Sequence, residues 1–249
     1  MRNLFLLCLL FQLLAANAQQ PVDTIAENPK HTKFNYKPLI IPAALISYGV
    51  VAIGNDQLLD FNHQIQSEVK EDIDEKITID DFSQYVPMVS VYGLNALGIE
   101  GKHNLKDRTI IMATSYLIMS STVLALKSAI KTERPDGSSK NSFPSGHTAT
   151  AFAGAEFLWQ EYKDVSPWYG VAGFAVATGT GVFRMYNNRH WLNDVAAGAG
   201  IGIFSTKIAY WINPYVKDKI FGSKDKKVSS TMAPFYNGKQ MGCGLVVVF

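Results

Sequence analysis

The chain has little cysteine: two residues in 249, Cys8 and Cys243. Cys8 lies in an apolar run at the very start, so a chain without that run keeps Cys243 alone and can form no internal disulfide. Packing must then hold the fold together. No Cys/His spacing suited to a metal site occurs. Net charge is also small, +2, and no basic stripe is interleaved with aromatics, so the electrostatic footprint of a nucleic-acid binder is missing. Internal repeats and low-complexity tracts are absent as well.

What the chain does have is apolar surface to bury, with 47% hydrophobic residues, enough for one substantial core. Residues 1–18 read as a cleavable secretory signal: Arg2, an apolar run from Leu4 to Leu14, then small residues at Ala16 and Ala18. A polar linker, residues 19–38, leads to the expected domain, 39–214. Six apolar stretches within it are each about one helix long: Leu39–Gly54, Phe82–Gly98, Thr109–Leu126, His147–Gln160, Pro167–Phe183 and Asp194–Ile212. They are rich in Gly, Ala, Ser and Thr and apolar on most faces, which predicts an all-α bundle of about six closely packed helices.

The stretches are short beside the roughly 20 residues of a membrane span. Two features nevertheless favour a bilayer. No charge occurs from Ile110 to Leu126 or from Pro167 to Phe183, and Trp168, Tyr169, Tyr210 and Trp211 stand at segment ends. The acidic stretch from Asn55 to Asp81 reads as a solvated helix and loop with no chemistry assigned. The basic tail, 215–249, holds a possible short hairpin, Val246–Phe249 with Asn237-Gly238 upstream.

Chemically useful side chains gather in three clusters at segment boundaries. In the first, Lys127 and Arg134 are seven positions apart before Pro135, about two helical turns, so both can face one anion from a helix that Pro135 stops. In the second, Ser142-Phe-Pro-Ser-Gly-His147, a tight turn enters a helix whose first amides form an anion site, with Gly146 allowing close approach and His147 at the rim. The third runs from Arg184 to Asp194. There His190 and Asp194, four apart, stack on one helical face, and the carboxylate fixes the imidazole tautomer while the other nitrogen stays a nucleophile. Each cluster alone also suits a structural role as cap, dipole partner or membrane anchor.

Taken together, Lys127-x6-Arg134-Pro135, Pro144-Ser145-Gly146-His147 and Arg184-x5-His190-x3-Asp194 resemble the type-2 phosphatidic acid phosphatase superfamily, which includes the vanadium-dependent haloperoxidases. The resemblance covers about Leu39 to Ile212. Phe183 departs from it, standing where a Ser usually precedes the Arg. It implies a phosphatase in which His190 attacks phosphorus, Asp194 orients it and His147 protonates the departing alkoxide. Lys127, Arg134, Arg184, Ser145 and Gly146 then hold the phosphate oxygens, with no metal and no cofactor. It further implies a lipid phosphate or pyrophosphate substrate: lipid A, at the 4′ position, ahead of undecaprenyl pyrophosphate, phosphatidate or phosphatidylglycerophosphate. A soluble nonspecific acid phosphatase and a haloperoxidase with vanadate in the same pocket are the alternatives. A transporter would carry its ionisable groups within its spans, and here they lie at the ends.

Topology adds one expectation. Phe82–Gly98 is the poorest span, with Ser83, Gln84, Pro87, Ser90 and Asn95, so it is expected at the interface or inside the bundle. Two spans then precede Lys127, which puts the site on the periplasmic face of a bacterial inner membrane.

Overall fold

A computed structural model of the chain describes residues 36–70, 78–221, 229–236 and 241–248. The expected signal, most of the linker and the turn at Asn237-Gly238 lie outside the described residues. Contacts separate residues 1–36 from residues 37–249. In the first unit only Tyr36 is described, and it is exposed.

The second unit opens with a 3-10 turn, Lys37–Leu39, that runs into α1 (Ile40–Val51). Then come α2 (Asp56–Lys70), the short α3 (Ile79–Ser83), α4 (Val86–Ala96), α5 (Leu105–Ala129), α6 (Gly146–Tyr162), α7 (Pro167–Tyr186) and α8 (Leu192–Phe221). The six expected helices are all present. The stretch from Asn55 supplies its expected helix, α2, and a second, short one, α3, and α8 passes the expected domain end at 214 to reach Phe221. Two strands, β1 (Ser229–Tyr236) and β2 (Met241–Val248), pair antiparallel with Ser229 opposite Val248 and Tyr236 opposite Met241, a longer hairpin than the tail sequence suggested.

Capping chemistry sets several helix starts. The Asn104 side chain accepts the Asp107 amide at 2.9 Å and begins α5, and Pro167 occupies the first turn of α7, where a missing N–H costs nothing. One expectation fails at the end of α5. The helix stops at Ala129, with Ile130 already extended, so Pro135 does not terminate it and Arg134 belongs to the following loop.

Helices α6 and α8 form the centre, α6 packed on α4, α5, α7 and α8, and α8 on α1, α5 and α6. Their seam is closed by missing side chains: a Cβ on Gly198 would lie 2.5 Å from the Ser145 carbonyl oxygen, and one on Gly202 2.3 Å from that of Ala149. Among the described residues two helices, α5 and α8, are long and apolar enough to cross a membrane, with a third span if α1 and α2, bent by 100°, make one. Only 28% of the apolar window of α5 is buried, and Leu117 and Leu124 on it are exposed. An apolar helix left this bare suits hydrocarbon, and the fold is a membrane-embedded helical bundle. Helix α4, at 11 residues, is too short to cross and packs on α6 and α7.

The alternation of helix directions puts the C-termini of α5 and α7 and the N-termini of α6 and α8 at one end of the bundle. A buried polar cluster closes the other end. Glu161 there accepts from Tyr210 at 2.6 Å, the His103 amide at 3.0 Å and Arg108 Nε at 3.3 Å, and its Oε1 lies 2.8 Å from His103 Nδ1.

Candidate active site

The loops joining α5 to α6 and α7 to α8 meet at the first end. The Ser145 amide donates to the Asp194 carbonyl at 3.0 Å, and the Trp191 indole donates to the Glu133 carbonyl at 2.9 Å, so the three clusters of the sequence are tied to one another by hydrogen bonds. His190 does not sit on a helix. It precedes α8, its amide and that of Arg189 both directed to the Arg184 carbonyl, and the four-residue spacing to Asp194 is closed across the helix boundary. Asp194 is wholly buried and accepts from the Trp191 amide at 3.0 Å, as a first-turn acid should. The same oxygen accepts the Ser142 hydroxyl and lies 3.5 Å from His190 Nδ1.

This arrangement defines what the imidazole can do. His190 is 2% exposed, and burial lowers its pKa to about 4, with Arg184 and Lys127 adding to the effect against the opposing pull of Asp194. The ring is therefore neutral near neutrality. Its Nδ1 side is taken up by Asp194 and Ser142, and Nε2 makes no hydrogen bond among the described residues. A neutral, oriented imidazole with one uncommitted nitrogen is a nucleophile.

A cavity of about 350 Å3 opens at this end, lined by Thr78, Asp80, Asp81, Arg134, His147, Arg184, Asn187 and Arg189. Arg134 and Arg184 each carry a buried Nε with no hydrogen-bond partner among the described residues. Burial and then the charges of Arg184 and Arg189 lower the Arg134 pKa, the mark of guanidinium groups crowded together. An anion between them would relieve that repulsion and accept the unused donors. Lys127, at the end of α5, reaches over to the Asn141 carbonyl at 2.5 Å and the Ser142 carbonyl at 3.3 Å, within electrostatic range of Arg134, Arg184 and Asp194.

Ser145 and Gly146 are placed differently. The Ser145 hydroxyl is wholly buried, accepts the Thr148 amide at 3.4 Å and meets the Thr148 hydroxyl at 2.9 Å, so it caps α6; Ser145 and Gly146, like Lys127, His190 and Asp194, are not among the residues that line the cavity. Phe183 turns its ring onto Tyr186, centroids 5.9 Å apart, one residue away from the Arg184 side chain.

The sequence reading missed four contributors. Asp80 and Asp81, assigned to a solvated charge run, are at the site: Asp80 is 1% exposed and takes Arg184 NH1 at 2.5 Å and Asn187 at 3.0 Å, and Asp81 lies 2.9 Å from His147 Nε2. Arg189 is held to Asp136 at 3.1 Å, and Ser142 bonds Asp194. Asp80, Asp81 and His147 each offer one ligand atom within 4.8 Å of the others. Both Asp80 oxygens and Asp81 Oδ1 are engaged by Arg184, Asn187 and His147, which makes the group a hydrogen-bonded network. Partial burial and then Arg184 lower the pKa of His147, against the carboxylates of Asp81 and Asp80.

Residues 108–218 match the PAP2 superfamily. A lipid A 1-phosphatase of Porphyromonas gingivalis is 42% identical over 139 residues, 55% of this chain and 31% of that protein. The bacitracin transport permease protein BcrC of Bacillus licheniformis is 35% identical over 74 residues, 30% of this chain and 34% of its own length. The chain thus spans about a third of the length of these curated relatives. Among solved structures, LpxE of Aquifex aeolicus superposes with a TM-score of 0.47 at 23% identity, covering 61% of this chain and 95% of that one. A transmembrane PAP2-type phosphatidylglycerolphosphate phosphatase of Bacillus subtilis gives 0.48 at 18% identity, covering 74% and 98%.

Proposed function

We propose that this chain, whose residues 108–218 match the PAP2 superfamily, hydrolyses a lipid phosphate through a phosphohistidine on His190. The observation that carries this is the buried His190, its Nδ1 side turned to Asp194 and its amide directed to the carbonyl of Arg184, which lines a cavity with Arg134, His147 and Arg189. Nε2 attacks phosphorus, the bond to the leaving oxygen breaks, and His147 gives that oxygen a proton. Arg134, Arg184 and Lys127 stabilise the charge that gathers on the phosphoryl oxygens. Water then attacks the phosphohistidine, His147 takes its proton, and phosphate leaves with His190 restored. In this reading Gly146 contributes through its backbone amide at the start of α6, while the Ser145 hydroxyl is engaged in the cap and the Ser145 amide in its bond to the Asp194 carbonyl.

The substrate is lipid A. The sequence reading favoured its 4′ phosphate; the name of the P. gingivalis relative favours the 1 phosphate, and we adopt that position. In this reading the catalytic end faces the periplasm: α4 is too short to cross, and with α1 and α2 counted as one bent span, that span and α5 are the crossings ahead of Lys127. The residue 1–18 signal belongs to the same reading.

The test is phosphate release in detergent with EDTA present, wild type against His190→Ala, on lipid A, undecaprenyl pyrophosphate, phosphatidate and para-nitrophenyl phosphate. EDTA-resistant release from lipid A that vanishes in the variant is the expected result, with the product's remaining phosphate identifying the position. Undiminished activity in His190→Ala would overturn the mechanism, and equal activity on the small ester would replace the lipid substrate. For orientation, a cysteine at residue 140 should react with an impermeant maleimide while the inner membrane is intact.

A further inference from the structure

The group that must protonate the leaving oxygen is itself held by a residue outside all three motifs. His147 Nε2 lies 2.9 Å from Asp81 Oδ1. Asp81 belongs to α3, a five-residue helix fixed to the bundle on both sides of it. Asp80 is buried against Arg184 and Asn187, Ser83 meets Thr180 at 2.7 Å, and Gln84 turns back to the Asp81 carbonyl at 2.9 Å. These contacts leave the Asp81 carboxylate half-exposed at the cavity, with Arg184 NH1 4.0 Å away.

We infer that Asp81 is a positioning residue for His147, its carboxylate accepting the Nε2 proton, orienting the ring and holding it in the charged form that can donate. The inference rests on the phosphatase reading above. With Nε2 committed to Asp81, the proton delivered to the leaving oxygen is the one on Nδ1, and Nδ1 recovers it from water in the second step. Asp80 cannot serve in this way, because both its oxygens are taken by Arg184 and Asn187. The other charges facing His147 are Asp80 on α3 and Arg184 on α7, with Arg134 and Arg189 across the cavity from the two loops. Only Asp80 and Asp81 are acidic among the described residues of the lining, so losing one leaves an excess of cations that favours the neutral imidazole.

The experiment compares Asp81→Asn with wild type on two esters. One is the lipid phosphate, whose alkoxide needs a proton to leave; the other is para-nitrophenyl phosphate, whose nitrophenolate leaves without one. For the lipid, kcat/KM should fall about tenfold or more and the alkaline limb of its pH profile should move to lower pH, while the small ester changes by less than about twofold. Asp81→Glu should recover part of the loss. NMR titration of His147 should show a lower pKa in Asp81→Asn. Equal losses on both esters with an unmoved alkaline limb would mean that Asp81 only supports the fold, and a His147 that titrates alike in both proteins would overturn the proposal whatever the activity. If wild type releases phosphate from neither ester, the phosphatase reading itself falls, an outcome distinct from either of these.

Discussion

The two ends of the bundle bury charge in opposite ways. At the α6 C-terminus, Glu161 collects contacts from His103, Tyr210 and Arg108, and Arg108 NH2 goes on to the His103 carbonyl at 2.7 Å, so the groups satisfy one another except at Arg108 NH1, which is buried without a partner among the described residues. At the α6 N-terminus, about 25 Å away along a 17-residue helix, two arginines keep a buried Nε with no acceptor, and one Asp194 oxygen is likewise unpartnered. Buried charge that closes on itself fastens a loop to a helix. Buried donors left open cost stability, and such a cost is tolerated where a ligand supplies the missing partner.

Four perturbations test that contrast. His190→Ala should lower kcat/KM on the order of 10^4-fold and abolish phosphate labelling of the protein, since the variant lacks the proposed nucleophile. Arg134→Gln, which removes one open donor and breaks no side-chain ion pair, should cost about 10^2-fold in kcat with little change in thermal stability. The closed end should behave in reverse. Glu161→Gln leaves Arg108, 1% exposed, without its counter-charge and should lower stability by about 3–5 kcal/mol, read from the denaturant midpoint in detergent, with activity per folded molecule within about twofold. A large loss of activity at intact stability would show that the ends are not independent.

The smallest effect is on pH. Below about 4 His190 is protonated and cannot attack, so activity falls as pH drops through that value. His147 must be charged to donate and its pKa lies below the ordinary 6.5, so activity also falls as pH rises through it. The profile of kcat/KM should peak at mildly acidic pH, and a peak above neutrality would contradict the assigned roles. The same burial that lowers the His190 pKa makes folding release its proton: its contribution to stability is complete above the unfolded value near 6.5 and is lost as pH falls toward 4.

The open end was largely legible in the sequence, because its chemistry lies in short spacings. His190 and Asp194 are four apart and Lys127 and Arg134 seven, and chain connectivity keeps such residues near one another whether or not a helix runs through them. The structure changed how the spacings are realised: α5 stops before Arg134 and α8 starts after His190. Asp80 and Asp81 could not be found in this way. Their partners lie 104 residues on, for Arg184, and 66 residues on, for His147, and an acidic stretch looks the same whether its carboxylates meet water or arginine. The helices themselves were legible from apolar runs broken by Gly, Pro and charge, and their ends less so, since the α6 cap at Ser145 also looked like a phosphate contact.

The glycine seam between α6 and α8 also acts as a distance gauge. His147 rides on the first turn of α6 and Asp194 on the first turn of α8, and no side chain on Gly198 or Gly202 props those helices apart. The gap between the helix starts that carry His147 and Asp194 is thus set by backbone against backbone, in a close-packed interior of low compressibility. A single added methyl group would be levered straight into that gap, at a site where a misplacement of about 1 Å can cost 10^2-fold in rate.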